Sequence, residues 1–374
     1  MEYDRNGSRI AKNNGLITAS IMALVIVKNK NFIAVVCCNA FLIQLLYYLS
    51  QDRAILVEDR SYGIVANEGQ QTRYVIESGR CSDVTKNCYI VYDDVDILTN
   101  DVNRYLLLQD VREPETAVRL IPAAGIKSKE SDSRFWKVNH THINTQYVAV
   151  MLTVPFGVAT LALSDYMNHA ADVLIVGLGG GSMNMFLASH FPKMAITVVE
   201  LDPIVIDIAY QWFGLEEKEN VKIITSDGVE FIRGAADKSS LFDIVMIDAC
   251  GKEGEITCPA IAFTQSYFIE NLKKILKPTG VAVLNVLPTD DVTEPVKKLV
   301  RKYNEQFPTC SVVRLFREMN TVLSCQILEL SDPHTSQRLI SKQFQNSWEH
   351  FGFSHQFGVM EMVLTNSGKQ NDSN

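Results

Sequence analysis

The chain has 374 residues, 47% of them hydrophobic, and a formal net charge of −8. That length allows about two domains of roughly 100 to 200 residues each, with a substantial buried core. The acidic balance, with no lysine or arginine stripe to offset it, excludes broad nucleic-acid binding and is compatible with a basic acceptor.

The first informative stretch is 32–49, which carries no charge and is interrupted only by polar Asn39 and Gln44. Its 18 residues lie near the lower end of the roughly 17 to 25 needed to cross a hydrocarbon core. Arg5, Arg9, Lys12, Lys28 and Lys30 precede it, so the positive-inside bias keeps the amino terminus cytoplasmic. The expectation is a cytoplasmic segment at 1–30 and a single-pass transmembrane helix at 31–50, with the rest of the chain lumenal or extracellular. Alternatives stay open: a buried globular helix, or insertion as a hairpin with the apolar run 15–27, which would leave the rest cytosolic. A cleaved signal peptide is less attractive, because the run starts late and lacks a small-residue cleavage pattern.

Residues 51–130 have a different texture. Short strand candidates at 54–57, 62–67, 74–78 and 89–92 are separated by Gly, Asp and Asn turns, as in a small β-domain. Such a meander would cover one mouth of a pocket or simply cap a sheet edge. Residues 145–163 read as a buried helix bent or divided by Pro155 and Gly157, with Gln146 and Tyr147 at its start within reach of a ligand. His140 and His142 lack the cysteine or acid partners of a zinc site, so no metal is expected.

Residues 172–181 then carry the strongest signal. Val173 to Val176 is a continuous aliphatic run of the kind that forms a parallel strand covered on both faces. Gly177, Gly179 and Gly181 follow, removing Cβ atoms where the chain must turn tightly and where a ligand can lie against the backbone. Ser182 is placed to cap the next helix. A second apolar strand, 195–199, ends on Glu200, about 20 residues beyond the glycines, where dinucleotide-type folds take ribose hydroxyls. Asp202 and Pro203 open a helix that Gly214 stops. A third strand, 221–225, leads to Ser226, Asp227 and Gly228. Asp227 can accept from an adenine amino group, or cap the helix after it. A fourth strand, 242–247, delivers Asp248 to the same carboxyl edge, where open α/β sheets bind ligands.

These ordered motifs resemble the methyltransferase fold shared by spermidine synthases and the methyltransferase-like proteins that modify elongation factor 1-alpha. The similarity lies in Val176 to Ser182, Val199 to Pro203, Gln211-Trp212-Phe213-Gly214, Ser226-Asp227-Gly228 and Thr257-Cys258-Pro259, closer to the second group. The element Arg60 to Gly63 resembles part of the small β-domain of spermidine synthases. The resemblance implies S-adenosylmethionine as cofactor, with Gly177, Gly179, Gly181, Glu200, Asp227, Gly228 and Asp248 binding it. Protein amine is the acceptor it implies first. Asp248 would also steer or deprotonate that amine, unless it serves only as a cofactor or loop anchor. Spermidine synthases place further acids where this chain has Gly180 and Gly251, and losing charge-assisted hydrogen bonds of roughly 1.5 to 3 kcal/mol each disfavours polyamine synthesis. An aminopropyltransferase and a non-catalytic scaffold are the competing classes.

The expected fold is therefore α/β and Rossmann-like. A mostly parallel seven-stranded sheet with a terminal antiparallel hairpin, strands 311–316 and 321–330, would occupy 131–364, ahead of a disordered tail at 365–374. Setting aside Cys37 and Cys38 leaves six cysteines. Cys310 and Cys325 face each other across that hairpin closely enough for a bridge, Cys81 and Cys88 bracket a polar loop, and pairing of Cys250 with Cys258 is left open, as is a set of buried free thiols. Asn139-His140-Thr141 and Asn371-Asp372-Ser373 are glycosylation sequons that matter only on the lumenal side. A protein substrate and, through the helix, a membrane are the expected partners; a homodimer is a further expectation.

Overall fold

The computed structural model describes residues 64–365 apart from 69–70, 97–98, 100, 110, 112–113, 123–131, 165–167 and 291. The transmembrane helix expected at 31–50, the strand at 54–57, the element at 60–63 and the tail beyond 365 lie outside the described residues. Among the described residues no helix is long and apolar enough to cross a membrane.

An antiparallel meander comes first. β1 (Ile64–Glu68), β2 (Gln71–Cys81), β3 (Cys88–Asp96), β4 (Val102–Leu108), β5 (Thr116–Ile121) and β6 (Lys137–Val138) lie in sequence order in one sheet. The sequence reading found the first three of these strands and missed β4 to β6. Alternation explains the miss: β4 buries every second residue and places Arg104 on the inner face. Arg104 is 1% exposed and donates from Nε to Asp93 Oδ1 at 2.7 Å and from Nη2 to Asp93 Oδ2 at 2.9 Å. A buried pair satisfied in this bidentate way stands where a hydrophobic residue is the ordinary choice.

Helix α1 (Gln146–Gly157) leads into the second sheet and stops at Gly157, with Pro155 in its last turn, so the predicted 145–163 helix is shorter by one turn and more. The remaining elements alternate: β7 (Asp172–Val176), α2 (Ser182–His190), β8 (Ala195–Glu200), α3 (Pro203–Trp212), β9 (Val221–Thr225), α4 (Gly228–Asp237) and β10 (Phe242–Ile247). They are followed by β11 (Ile256–Cys258), α5 (Ser266–Lys274), β12 (Leu276–Pro288), α6 (Glu294–Gln306), β13 (Thr309–Arg314), β14 (Thr321–Gln326), α7 (Pro333–His350), α8 (Phe353–Phe357) and β15 (Met362–Thr365).

The sheet order is β15-β13-β14-β12-β10-β7-β8-β9, with β11 paired to β12 off this path. β12, β10, β7, β8 and β9 run parallel, whereas β14, β13 and β15 are antiparallel. The expected α/β sheet and hairpin are therefore present, with β15 as an added edge strand. Thr365 is its last residue and pairs with Cys310, which corrects its assignment to a disordered tail. The strands of β7, β10 and β12 carry Leu174, Val245, Ile247, Ala282 and Leu284, at most 2% exposed, into a core shared with Phe268, Ile269 and Leu272 of α5.

The order in which strands are added reverses at β7: β8 and β9 lie on one side of it, and the chain then returns to place β10 on its other side. In open α/β sheets the crevice at such a reversal is where ligands bind. Both sheets belong to one compact unit. Among the described residues three disulfides are formed, Cys81–Cys88, Cys250–Cys258 and Cys310–Cys325.

Candidate cofactor and acceptor site

The loops after β7, β8, β9 and β10 meet at this crevice. Their ends are tied by backbone hydrogen bonds from Gly177 N to Val199 O at 2.8 Å, Asp248 N to Val176 O at 2.8 Å and Ser226 N to Glu200 O at 2.9 Å. Gly177, Gly179 and Gly181 all take positive φ, +98°, +52° and +78°. What fills the space beside them is protein. A Cβ on Gly177 would stand 2.1 Å from the Asp248 backbone oxygen, and one on Gly179 2.5 Å from Thr116 Oγ1. The turn is thus made of glycines because neighbouring strands and the meander close on it.

Gly181, in the left-handed conformation, is the N-cap of α2, and Ser182 is its first helical residue. The expected Ser182 cap is therefore absent: the left-handed turn at Gly181 has already set the helix entry, and the cap makes no side-chain hydrogen bond. Gly228 is also a packing glycine, with Val176 Cγ1 2.4 Å from where its Cβ would lie.

Glu200, 9% exposed, ends β8 with each oxygen engaged once. Oε2 accepts from Leu178 N and Oε1 from Asp202 N, both at 2.8 Å. A carboxylate oxygen has a second lone pair, so acceptor capacity remains for two hydroxyls. Burial is the largest cause raising its pKa, opposed by those amides. Asp227 caps α4, its Oδ1 accepting from Val229 N at 2.8 Å and Glu230 N at 3.0 Å, so the capping role weighed at the sequence level is real.

Asp248 is half-buried after β10. Asn285 Nδ2 donates to its Oδ1 at 2.8 Å and the Tyr147 hydroxyl to its Oδ2 at 3.3 Å. Burial raises its carboxyl pKa, and those two hydrogen bonds work the other way. Tyr147 is itself placed by the β13–β14 hairpin: Glu318 accepts from the amides of Gln146 at 2.6 Å and Tyr147 at 2.9 Å, capping α1. Asn320 Nδ2 donates to Asn285 Oδ1 at 2.7 Å. Gln146, expected near the ligand, instead turns its buried amide toward the Phe357 carbonyl at 3.4 Å.

The meander supplies what the sequence reading did not see. Thr116 Oγ1 accepts from Gly180 N at 2.8 Å, and Glu115 stands beside it. Phe213 and Thr116 fill the space beside Gly180, 2.6 and 2.8 Å from where a Cβ would be. The Gln211-Trp212-Phe213-Gly214 motif is the latch between the sheets. Arg80 Nη2 donates to Gln211 Oε1 at 2.6 Å, Trp212 Nε1 donates to Glu77, and the Arg104 guanidinium lies 5.6 Å from the Trp212 ring centroid. His140 Nε2 pairs with the Gly214 carbonyl at 3.0 Å. Asp202 joins the same corner, accepting from the Thr85 and Tyr89 hydroxyls, each at 2.8 Å. Asn285, a lone polar residue in an apolar strand, was a usable sequence signal; Glu115 and Thr116 had none.

Residues 157–325 match the family described as the spermine/spermidine synthase domain. This part of the chain resembles that domain. Its similarity to an eEF1A lysine and N-terminal methyltransferase of Xenopus laevis is 32% identity over 180 residues, 47% of this chain and 25% of that protein. A polyamine aminopropyltransferase of Vibrio vulnificus is 31% identical over 177 residues, 46% of this chain and 58% of that one. The chain thus spans about a quarter of the first relative and just over half of the second. A probable spermidine synthase structure from Corynebacterium glutamicum shares the fold, with a TM-score of 0.52 and 17% identity over 78% of this chain and 90% of that one. The glycine turn, Glu200 and Asp248 all fall inside the matched residues.

Proposed function

We propose that this chain is an S-adenosylmethionine-dependent methyltransferase acting on a protein amine. The observation that carries the proposal is the carboxyl edge itself, where Glu200, anchored by the Leu178 amide, faces the same crevice as Asp248. The names of the eEF1A methyltransferase relatives support the same reading. Glu200 is assigned to the ribose hydroxyls through its remaining lone pairs, Asp227 Oδ2 to the adenine amino group, and the glycine turn to the amino-acid tail. Raised carboxyl pKa values at Glu200 and Asp248 fit a cationic guest, whose charge would offset the cost of burying them. Bound there, S-adenosylmethionine supplies a methyl group already activated by its sulfonium, so the chain has to align the acceptor and exclude water.

Aminopropyl transfer is disfavoured by geometry as well as by charge. No acid fits at position 180 while Phe213 and Thr116 occupy its space, and a Cβ on Gly251 would already meet Ala260 Cβ at 3.0 Å. The deciding experiment is calorimetry of the purified chain with S-adenosylmethionine, alongside Glu200→Ala. Binding in wild type and its loss in the variant are expected, and a well-folded protein that binds nothing sinks the proposal. Product formed from putrescine or spermidine would shift the assignment to the aminopropyltransferase.

A membrane anchor at 31–50 with the catalytic part lumenal belongs to the same proposal. Pairing of Cys81–Cys88, Cys250–Cys258 and Cys310–Cys325 supports it, because disulfides persist in oxidising compartments. A glycan at Asn139 in expressed protein is the direct check. An unglycosylated, protease-accessible chain overturns the topology without touching the chemistry.

A further inference from the structure

Carboxylates lining the crevice differ in how their oxygens are used. Glu200 accepts one amide on each oxygen, and Asp248 accepts one side-chain donor on each. Glu115, on the turn between β4 and β5, makes no hydrogen bond through either carboxylate oxygen among the described residues. Its position is nonetheless fixed. Its amide donates to the Leu106 carbonyl at 2.8 Å, its carbonyl oxygen is 3.8 Å from where a Cβ on Gly179 would stand, and the neighbouring Thr116 holds Gly180.

The charges that act on Glu115 are Asp248, Glu200 and the opposing Lys252, and Glu115 in turn acts on the Tyr147 hydroxyl. Asp248, Glu200 and the Tyr147 hydroxyl are thus its electrostatic neighbours in the crevice. A half-buried acid with open oxygens beside two other carboxylates, opposed by Lys252 but hydrogen-bonded to no donor among the described residues, is suited to a cation with N–H groups to donate.

We propose that Glu115 is the carboxylate that receives the acceptor amine as its ammonium ion and takes its proton. This rests on the methyltransferase reading. Glu115 accepts one proton from the ammonium and becomes a neutral carboxyl. The freed amine lone pair forms the new C–N bond as the C–S bond breaks with its electron pair going to sulfur. The methylated product leaves as an ammonium ion, and Glu115 returns its proton to water. Asp248, held by Asn285 and Tyr147, positions the nitrogen. Burial first, then the charges of Asp248 and Glu200, push the Glu115 carboxyl up to about 7, where a general base works at neutral pH.

The test needs no acceptor. Two ligands share the adenosine and amino-acid parts: S-adenosylhomocysteine, with a neutral sulfur, and sinefungin, with an amine-bearing carbon in place of the methylsulfonium. Calorimetry of the full chain should give a preference for sinefungin of roughly ten-fold, the size of one charge-assisted hydrogen bond. That preference should grow from about pH 6 to about pH 8 as Glu115 ionises. Glu115→Gln should erase the preference while leaving S-adenosylhomocysteine affinity within about two-fold, and Glu115→Asp should restore part of it. Equal weakening of both ligands in Glu115→Gln would show a contact to the shared amino-acid tail and overturn the proposal, as would an intact preference. If folded wild type binds neither ligand, the cofactor reading falls and takes this one with it.

Discussion

The parallel half of the large sheet and the antiparallel meander contribute to the same crevice by different physics. β7, β8 and β10 are covered on both faces, so their strands are continuous apolar runs and their functional groups sit at the ends, on Glu200 and Asp248. The meander instead contributes from a turn, through Glu115 and Thr116, and is held to the core by polar contacts: Arg104 to the Trp212 carbonyl at 2.8 Å, and Tyr89 and Thr85 to Asp202. One region builds the floor of the crevice by backbone geometry. The other closes over it with hydrogen bonds that can be removed singly.

The largest effect that separates the two should come from Arg104→Met. Removing one partner of a fully buried ion pair leaves Asp93 uncompensated, for about 3 to 5 kcal/mol of destabilisation. Urea unfolding would read it, and a loss under about 1 kcal/mol would mean that the meander's buried pair is not what fixes it to α3.

Thr116→Val tests the contact between meander and glycine turn at nearly constant volume. It strands the buried Gly180 amide, at a cost of about 1 to 3 kcal/mol. The same change should weaken S-adenosylmethionine binding, because the turn loses its partner; unchanged affinity would show that the parallel half shapes the turn alone.

A third effect is electrostatic. Glu115 has its folded pKa raised from 4.5 to about 7, so the native state binds more protons than the unfolded state between those values. Wild-type stability therefore falls as pH rises through that window, and the melting temperature of Glu115→Gln should gain on wild type from about pH 5 to about pH 8. A gap that stays constant with pH would place Glu115 outside the field of Asp248 and Glu200.

Legibility followed the same division. The strand Asp172–Val176, the glycine turn, the acid closing β8 and the Asp202-Pro203 helix start were all readable, because each is a local pattern with a local cause: apolar runs, positive φ, a side-chain cap, here Asp202 Oδ1 accepting from Ile204 N at 3.0 Å. A bridge between Cys310 and Cys325 was readable as a possibility beside buried free thiols, and the structure forms it, the two residues being register partners across the hairpin. Ser182 was misassigned because Gly181 had already set the helix entry, and Gln146 because its partner Phe357 lies 211 residues away.

What the amino-acid order alone determined is the α/β alternation, the place of the crevice and the acids at its strand ends, since periodicity and glycine placement act over a few residues. Only the tertiary structure decided why Gly180 can carry no side chain, how Asn285, Tyr147 and Glu318 hold Asp248 in place, and that Glu115 joins them. The contacts that hold Asp248 join segments from 37 to 171 residues apart, and no local pattern encodes that packing.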